Sequence, residues 1–433
     1  MNISEVISKT RKKDALSSDE ISWLVDSYVN GEIPDYQMSA WLMAVCINGL
    51  TDDETSELTI AMRDSGDVLD LSGINGVTVD KHSTGGIGDK TSLIIAPVCA
   101  ACGIYVPKMS GRGLGFTGGT IDKLESIPGF NVEMGFEDYI KAVNSTGAAI
   151  ISQTGRLVPA DKKMYALRDV TGTVDSIPLI CSSIMSKKLA TGCDCILLDV
   201  KCGSGAFMKN KEDALKLARL MTSVGKAAGK RCQAVITDMN EPLGDAVGNA
   251  LEVMEAAEIL KGRKNGRLYQ LCMGLSANML ELAGIGSYDR CMELAENAVS
   301  SGKALEILEK MIYNQGGNGK AIYDYSLLPQ GIYKHEVTAE ESGYISGINS
   351  EIIGIAALMT GAGRENKESR IDHSAGIVFS RHTGDHVSRG DVIMTLYSSS
   401  VRDFTESAKK ALSAVSYSSE KPKMQPVIAG KYI

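Results

Sequence analysis

VDKHSTGGIGDKTSLIIAPVCAACGIYVPKMSGRGLGFTGGTIDKLE, residues 79–125, decides how the rest of the sequence reads. Two glycine-rich loops lie in it, one over His82–Lys90 and one over Ser110–Thr120. Each follows a short apolar run that predicts a strand and precedes a run that predicts a helix. Each also sets cations beside hydroxyls: Lys81, Ser83 and Ser92 in the first, Lys108, Ser110, Arg112 and Thr120 in the second. Glycine lets the main chain come close to a ligand and aim N–H groups at it. A helix N-terminus adds positive potential. An anion with several oxygens, most simply phosphate, suits such a pair of loops. Neither is the G-x-x-x-x-G-K-[ST] loop, and GRGLGFTGG departs from G-x-G-x-x-G at Phe116, so a dinucleotide is not indicated.

Before residue 66 the pattern is helical. Ser17–Glu20 makes a capping box ahead of ISWLVDSYV, and Thr51–Glu54 makes another ahead of LTIAMRDSG. Pro34 can open a helix whose Met38, Trp41, Leu42, Ala44, Val45 and Leu50 form a broad apolar stripe. SGDVLDLSGING, residues 65–76, reads as a flexible connection. From residue 77 the β runs GVTVD, IYVPKM, AAIIS, DCILLDVK and CQAVITD alternate with helices, the pattern of an α/β domain with a mixed, mainly parallel sheet. Residues 161–192 interrupt it with a helix–turn–helix that can rejoin the N-terminal helices across a cleft from the sheet. From about residue 337 the chain turns β-rich. Its Gly384–Ile393 stretch has the look of a lipoyl- or biotinyl-type hammerhead without the modifiable lysine.

The expected organisation is therefore α/β with a separate small all-helical domain. Residues 1–66 plus 161–193 form the helical domain, 77–160 plus 194–336 the α/β domain, and 337–433 a C-terminal α+β, hammerhead-like region. A length of 433 residues suits such a multidomain chain. A net charge of −8 argues against general nucleic-acid binding, which needs a basic face. No apolar run approaches the roughly 18 residues a membrane span needs. The N-terminus lacks a signal-peptide core, so a cytoplasmic location is expected. The ten cysteines then read as reduced thiols, Cys99 and Cys102 as small buried hydrophobes. The five histidines make no zinc-spaced pair.

SGRGLGFTGGTIDKLE, KHSTGGIGDKTS, ALRDVTGTVDSIPLICSSIMSKK, LDVKCGSGAFMK and PLGDAVGNALEVMEA together resemble the thymidine and pyrimidine-nucleoside phosphorylases, in the order usual for that family. The resemblance covers nearly the whole chain. It implies a homodimer of two-domain subunits, in which a helical domain closes over an α/β domain. It implies reversible phosphorolysis of pyrimidine (deoxy)nucleosides (uridine, thymidine, deoxyuridine) to the free base and (deoxy)ribose 1-phosphate in nucleoside salvage. It also implies residue roles. Lys81, Ser83, Ser92, Lys108, Ser110 and Thr120 would hold phosphate as co-substrate. Arg168, Ser183 and Lys187 would hold the pyrimidine, with Lys108 also on the nucleoside side, His82 near the base O2, and Tyr165, Ile180, Ile184 and Phe207 as apolar walls. His82, Arg168 and Lys187 would carry the catalysis. A potassium ion would bind main-chain oxygens of Gly88, Lys90, Leu243 and Ala246 and the carboxylate of Glu255.

Two positions depart from the usual pattern. Phe116 stands where the family usually has histidine. Lys108 stands where thymidine phosphorylases typically have methionine, and lysine there resembles the enzymes that accept both uridine and thymidine. The broad-specificity reading is therefore favoured over a strict thymidine phosphorylase. An anthranilate-type phosphoribosyltransferase, which resembles this fold, is less favoured because HSTGGIGD is not its G-T-G-G-D-G loop.

The chemistry suits these residues without resemblance. Cleaving an N-glycosidic bond with phosphate builds positive charge on the sugar and negative charge on the departing pyrimidine. Catalysis then needs an anchored anion on one side and cations around the base on the other. Ser183 and Lys187 are four apart on a predicted helix and share a face. Arg168 offers a planar donor set.

Overall fold

The structure is a computed structural model that describes residues 1–113, 118–264, 266–364 and 369–432. Four helices come first: α1 (Ile3–Lys12), α2 (Ser18–Val29), α3 (Asp35–Asn48) and α4 (Asp52–Asp64). Both expected capping boxes form, Ser17 with Glu20 and Thr51 with Glu54. Met38, Trp41, Leu42 and Val45 of α3 are buried, as the apolar stripe requires.

The α/β part runs β1 (Val79–Ser83), α5 (Thr91–Ala101), β2 (Val106–Ser110), α6 (Thr120–Glu125), α7 (Phe136–Thr146), β3 (Ala148–Ser152), α8 (Pro159–Thr171), α9 (Ile177–Ala190), β4 (Cys195–Cys202), α10 (Lys211–Ala227), β5 (Arg231–Asp238), β6 (Ala246–Gly248) and helices α11 (Asn249–Leu260), α12 (Arg267–Leu282), α13 (Tyr288–Ser300) and α14 (Lys303–Asn314). β4 is parallel to β1 on one side and to β5 on the other. β2 and β3 form a parallel pair, joined to the start of β1 by a bridge between Thr78 and Tyr105. α5 is apolar on all sides and almost wholly buried, against α11, α12 and α14. Its N-terminus is therefore a fixed point beneath the first glycine loop.

α8 packs on α2, α3 and α4, while α9 lies between the two parts, packed on α4 on one side and on α10 and the core beneath β4 and β5 on the other. Pro178 sits in the first turn of α9 after Ser176. The 65–76 connection is less free than its glycines suggest. Asp67 N–H donates to Arg156 O at 3.0 Å and Leu69 N–H to Ala190 O at 2.9 Å, while Leu71 and Ile74 are buried.

The C-terminal part comprises β7 (Tyr333–Thr338), β8 (Gly343–Ile348), α15 (Ser350–Ala357), β9 (Gly376–Phe379), β10 (His386–Val387), β11 (Val392–Ser398), α16 (Thr405–Leu412), β12 (Val415–Ser418) and β13 (Ile428–Tyr432). Two small antiparallel sheets form here, β10-β8-β12 and β6-β9-β11-β7. The strand pairing crosses the expected boundary at 337 in both directions. β6 of the α/β part joins β9, and β13 returns to pair antiparallel with β5 at the edge of the main sheet. Pairing partners that far apart leave no local pattern in the sequence.

Candidate functional site

β1, β2, β3 and β4 all deliver their C-terminal ends to one rim, where ligands of parallel α/β sheets bind. Both glycine loops start there. A cavity of about 200 Å³ lies between them, lined by Ser83, Ser92, Lys108, Ser110 and Thr120 together with Lys188. Five of the six expected phosphate residues thus share one hollow. Lys81 is absent from the lining. Its ammonium is buried below the floor, where it donates to Thr91 Oγ1 at 2.8 Å and pairs with Asp199 Oδ2 at 2.9 Å. Ser83 donates its hydroxyl proton to Asp89 Oδ2 at 2.6 Å. Phe116 lies outside the described residues.

A second cavity, of about 220 Å³, opens beside the first. Its lining includes His82, Tyr165, Arg168, Ile180, Ser183, Ile184, Lys187 and Phe207, the whole set expected for the base except Lys108. Lys108 lines only the first cavity of the two; its Nζ donates to Lys81 O at 2.6 Å. His82, Ser83 and Gly85 line both cavities and form the wall between them. The cationic wall is built by α8 and α9. Lys187 Nζ lies 2.6 Å from Asp161 Oδ2 and 3.2 Å from Ser183 Oγ. The Arg168 guanidinium is fixed by the carbonyls of Thr173, Leu179 and Val174 at 3.1, 3.1 and 2.8 Å. Three of its five N–H groups are used, and two remain for the cavity. Both cations stand near the face of Tyr165.

The site is strongly cationic, and its titrations follow from that. Burial, then Lys188, Lys108 and Lys187, hold His82 well below the usual histidine pKa, so its imidazole is neutral. Burial lowers Lys108 to about 8, with Asp80 opposing the shift and Lys188 adding to it. Below the floor lies a buried charge network. Asp199 pairs with Lys201 at 2.7 Å and accepts from Thr237 Oγ1 at 2.6 Å. Burial alone would raise the carboxyls of Asp199 and Asp89, but the two lysines Lys81 and Lys201 outweigh it and hold both down. Isolated ions could not be buried here; mutual pairing makes the floor tolerable and rigid.

The expected cation ligands also converge, but the structure fills their centre with protein. Lys90 Nζ donates to Leu243 O at 2.7 Å, Ala246 O at 2.8 Å and Glu255 Oε2 at 2.7 Å. Gly88 O and Lys90 O accept main-chain N–H groups from Lys90 and Leu93. A potassium ion would have to share these three oxygens with an ammonium of like charge, so the residues as arranged do not fit a free ion. The expectation gave Lys90 a role through its main-chain oxygen and none through its ammonium.

Sequence reasoning missed Asp89, Asp161, Asp199, Lys188 and Lys201. Asp89 lies inside the quoted loop, and its place in that loop was the only local clue.

Comparison with known proteins identifies the family. Residues 75–305 match the model described as "Glycosyl transferase family, a/b domain". Residues 4–66 match its helical bundle domain, and residues 344–418 match the pyrimidine nucleoside phosphorylase C-terminal domain. The chain is 48% identical over 413 residues to the pyrimidine-nucleoside phosphorylase of Geobacillus stearothermophilus, covering 95% of each. It is 50% identical over 398 residues to that of Bacillus subtilis strain 168, covering 92% of each. Anthranilate phosphoribosyltransferase from Thermus thermophilus superposes with a TM-score of 0.60 at 20% identity, over 72% of this chain and 99% of that one. That likeness concerns the fold alone. With three family models in chain order and about half of all residues shared with its relatives, the chain belongs to the pyrimidine-nucleoside phosphorylase family.

Proposed function

We propose that the protein catalyses reversible phosphorolysis of pyrimidine nucleosides. The observation that carries this reading is the shared wall: a hydroxyl- and lysine-lined cavity on one side of His82, Ser83 and Gly85, and a cationic, partly apolar cavity on the other. Phosphate in the first cavity attacks C1′ of a nucleoside whose base lies in the second. The C1′–N1 bond breaks, a C1′–O–P bond forms, and the electron pair leaves with the base onto O2 and O4. Lys187, Arg168 and the neutral N–H of His82 meet that charge. The N-terminus of α5 and Lys108 hold the anion. Phosphate is already a nucleophile, so a separate protein base is not needed.

The proposed range covers uridine, thymidine and deoxyuridine. Lys108 beside the phosphate favours the broad-specificity member of the family over the strict thymidine enzyme. The family resemblance further supports a homodimer. Tyr36, Met43 and Ile47 share one face of α3 and are exposed, an apolar face on the helical domain that a second copy would cover. Incubation with each nucleoside, with and without phosphate, tests the activity. Base release that needs phosphate and yields the sugar 1-phosphate supports it; equal release without phosphate means hydrolysis and refutes it.

A further inference from the structure

Three oxygens meet around one buried point, and a side chain occupies that point. The Lys90 ammonium is fully buried and has three N–H groups. Each has an oxygen within 2.8 Å: two main-chain carbonyls and one carboxylate. Glu255 is fixed in turn by the N–H groups of Asp245 and Ala246 at 2.7 and 2.8 Å. The backbone around this point is closely packed. A Cβ on Gly88 would lie 2.6 Å from Leu243 O, and one on Gly244 would lie 2.4 Å from Glu255 Oε1. Carbonyl and carboxylate oxygens closing on a dry point make a hard-cation cage.

The position of the cage gives it a purpose. Lys90 caps the N-terminus of α5 and ends the first glycine loop, two residues before Ser92 of the phosphate cavity. Leu243 and Ala246 belong to the segment that enters β6 and so the C-terminal sheet. Glu255 stands on α11. A cation here ties the phosphate loop to two other parts of the molecule. A diffusible ion would do so only in proportion to its concentration. A tethered one does so always.

We infer that the Lys90 side chain is a built-in monovalent cation, which holds the phosphate loop and makes the folded protein independent of added potassium. The inference rests on the cage and not on which nucleoside is cleaved, so thermal unfolding can test it even if the proposed reaction is wrong. The full-length protein and Lys90→Ser are melted in potassium chloride and in choline chloride at equal ionic strength. The native protein should unfold at the same temperature in both. Lys90→Ser, which empties the cage, should unfold earlier in choline and recover with potassium along a saturating curve. Its KM for phosphate should fall by about 5- to 150-fold in parallel, the usual range of coupling between two sites. Crystals soaked in rubidium chloride give a reading independent of the variant's stability. Rubidium in the cage of the native protein, a saturating potassium dependence of its unfolding, or a Lys90→Ser protein indifferent to potassium would each overturn the inference.

Discussion

Lys187 in the last turn of α9 and Asp161 in the first turn of α8 pair at 2.6 Å, at the ends of the two helices remote from the turn that joins them. The pair aims one ammonium into the second cavity and holds it beside Ser183. Asp161 keeps a second buried oxygen without a protein partner, so its charge is spent largely on Lys187.

Removing that cation should be costly. Lys187→Ala should lower kcat/KM for uridine about 10²- to 10³-fold, the loss of one fixed donor facing charge that grows in the transition state. Steady-state rates check this, and a loss under tenfold would remove Lys187 from the site. Asp161→Asn should lower kcat while KM for the nucleoside changes little, because it disturbs the aim of the ammonium and not its presence.

Lys108 sets a pH limit. Its pKa of about 8 keeps it protonated and attractive to phosphate below that pH. Above it the charge is lost, and kcat/KM for phosphate should fall. Lys108→Met should abolish this alkaline limb and weaken phosphate binding by about 1.5–3 kcal/mol, roughly 10- to 150-fold. It should also shift preference from uridine toward thymidine. An unchanged pH profile would mean that another group reads the anion.

His82 should show no titration near neutrality. Burial and the surrounding lysines hold its folded pKa well below the usual value of about 6.5. The neutral form therefore persists as pH falls, and the acid limb of kcat/KM should not appear near pH 6.5. Proton NMR of the ring in the folded enzyme, compared with His82→Asn, checks the assignment.

Asp199→Asn should act on the fold rather than on the substrate. It leaves Lys81 and Lys201 buried together with one fewer countercharge. The expected cost is about 3–5 kcal/mol, the usual loss on breaking a buried pair, read from urea unfolding. Asp199 has a depressed folded pKa. Its stabilisation is present above the unfolded carboxylate pKa, about 3.9, and is lost as pH falls through the folded one.

The sequence made legible whatever acts over short spans. Both capping boxes and the spacing of Ser183 and Lys187 are local patterns, and all formed. The whole pyrimidine set but Lys108 lies in one cavity. What stayed hidden depends on partners far apart along the chain. Lys188 meets Asp80 from 108 residues away, and Lys90 meets Glu255 from 165 away. No window of sequence contains either pair. The same holds for β13, whose partner strand β5 lies on the other side of the entire C-terminal region. Lys90 was legible as the end of the first glycine loop, yet only the folded chain reveals where its ammonium ends.

The most direct measurement is a crystal structure with phosphate and uracil bound together. Phosphate should lie among Ser83, Ser92, Ser110, Thr120 and Lys108, and uracil should accept hydrogen bonds from Arg168 and Lys187 against Tyr165, with the wall at His82 between them. Uracil bound away from Arg168 and Lys187, or phosphate outside the glycine loops, would contradict the account.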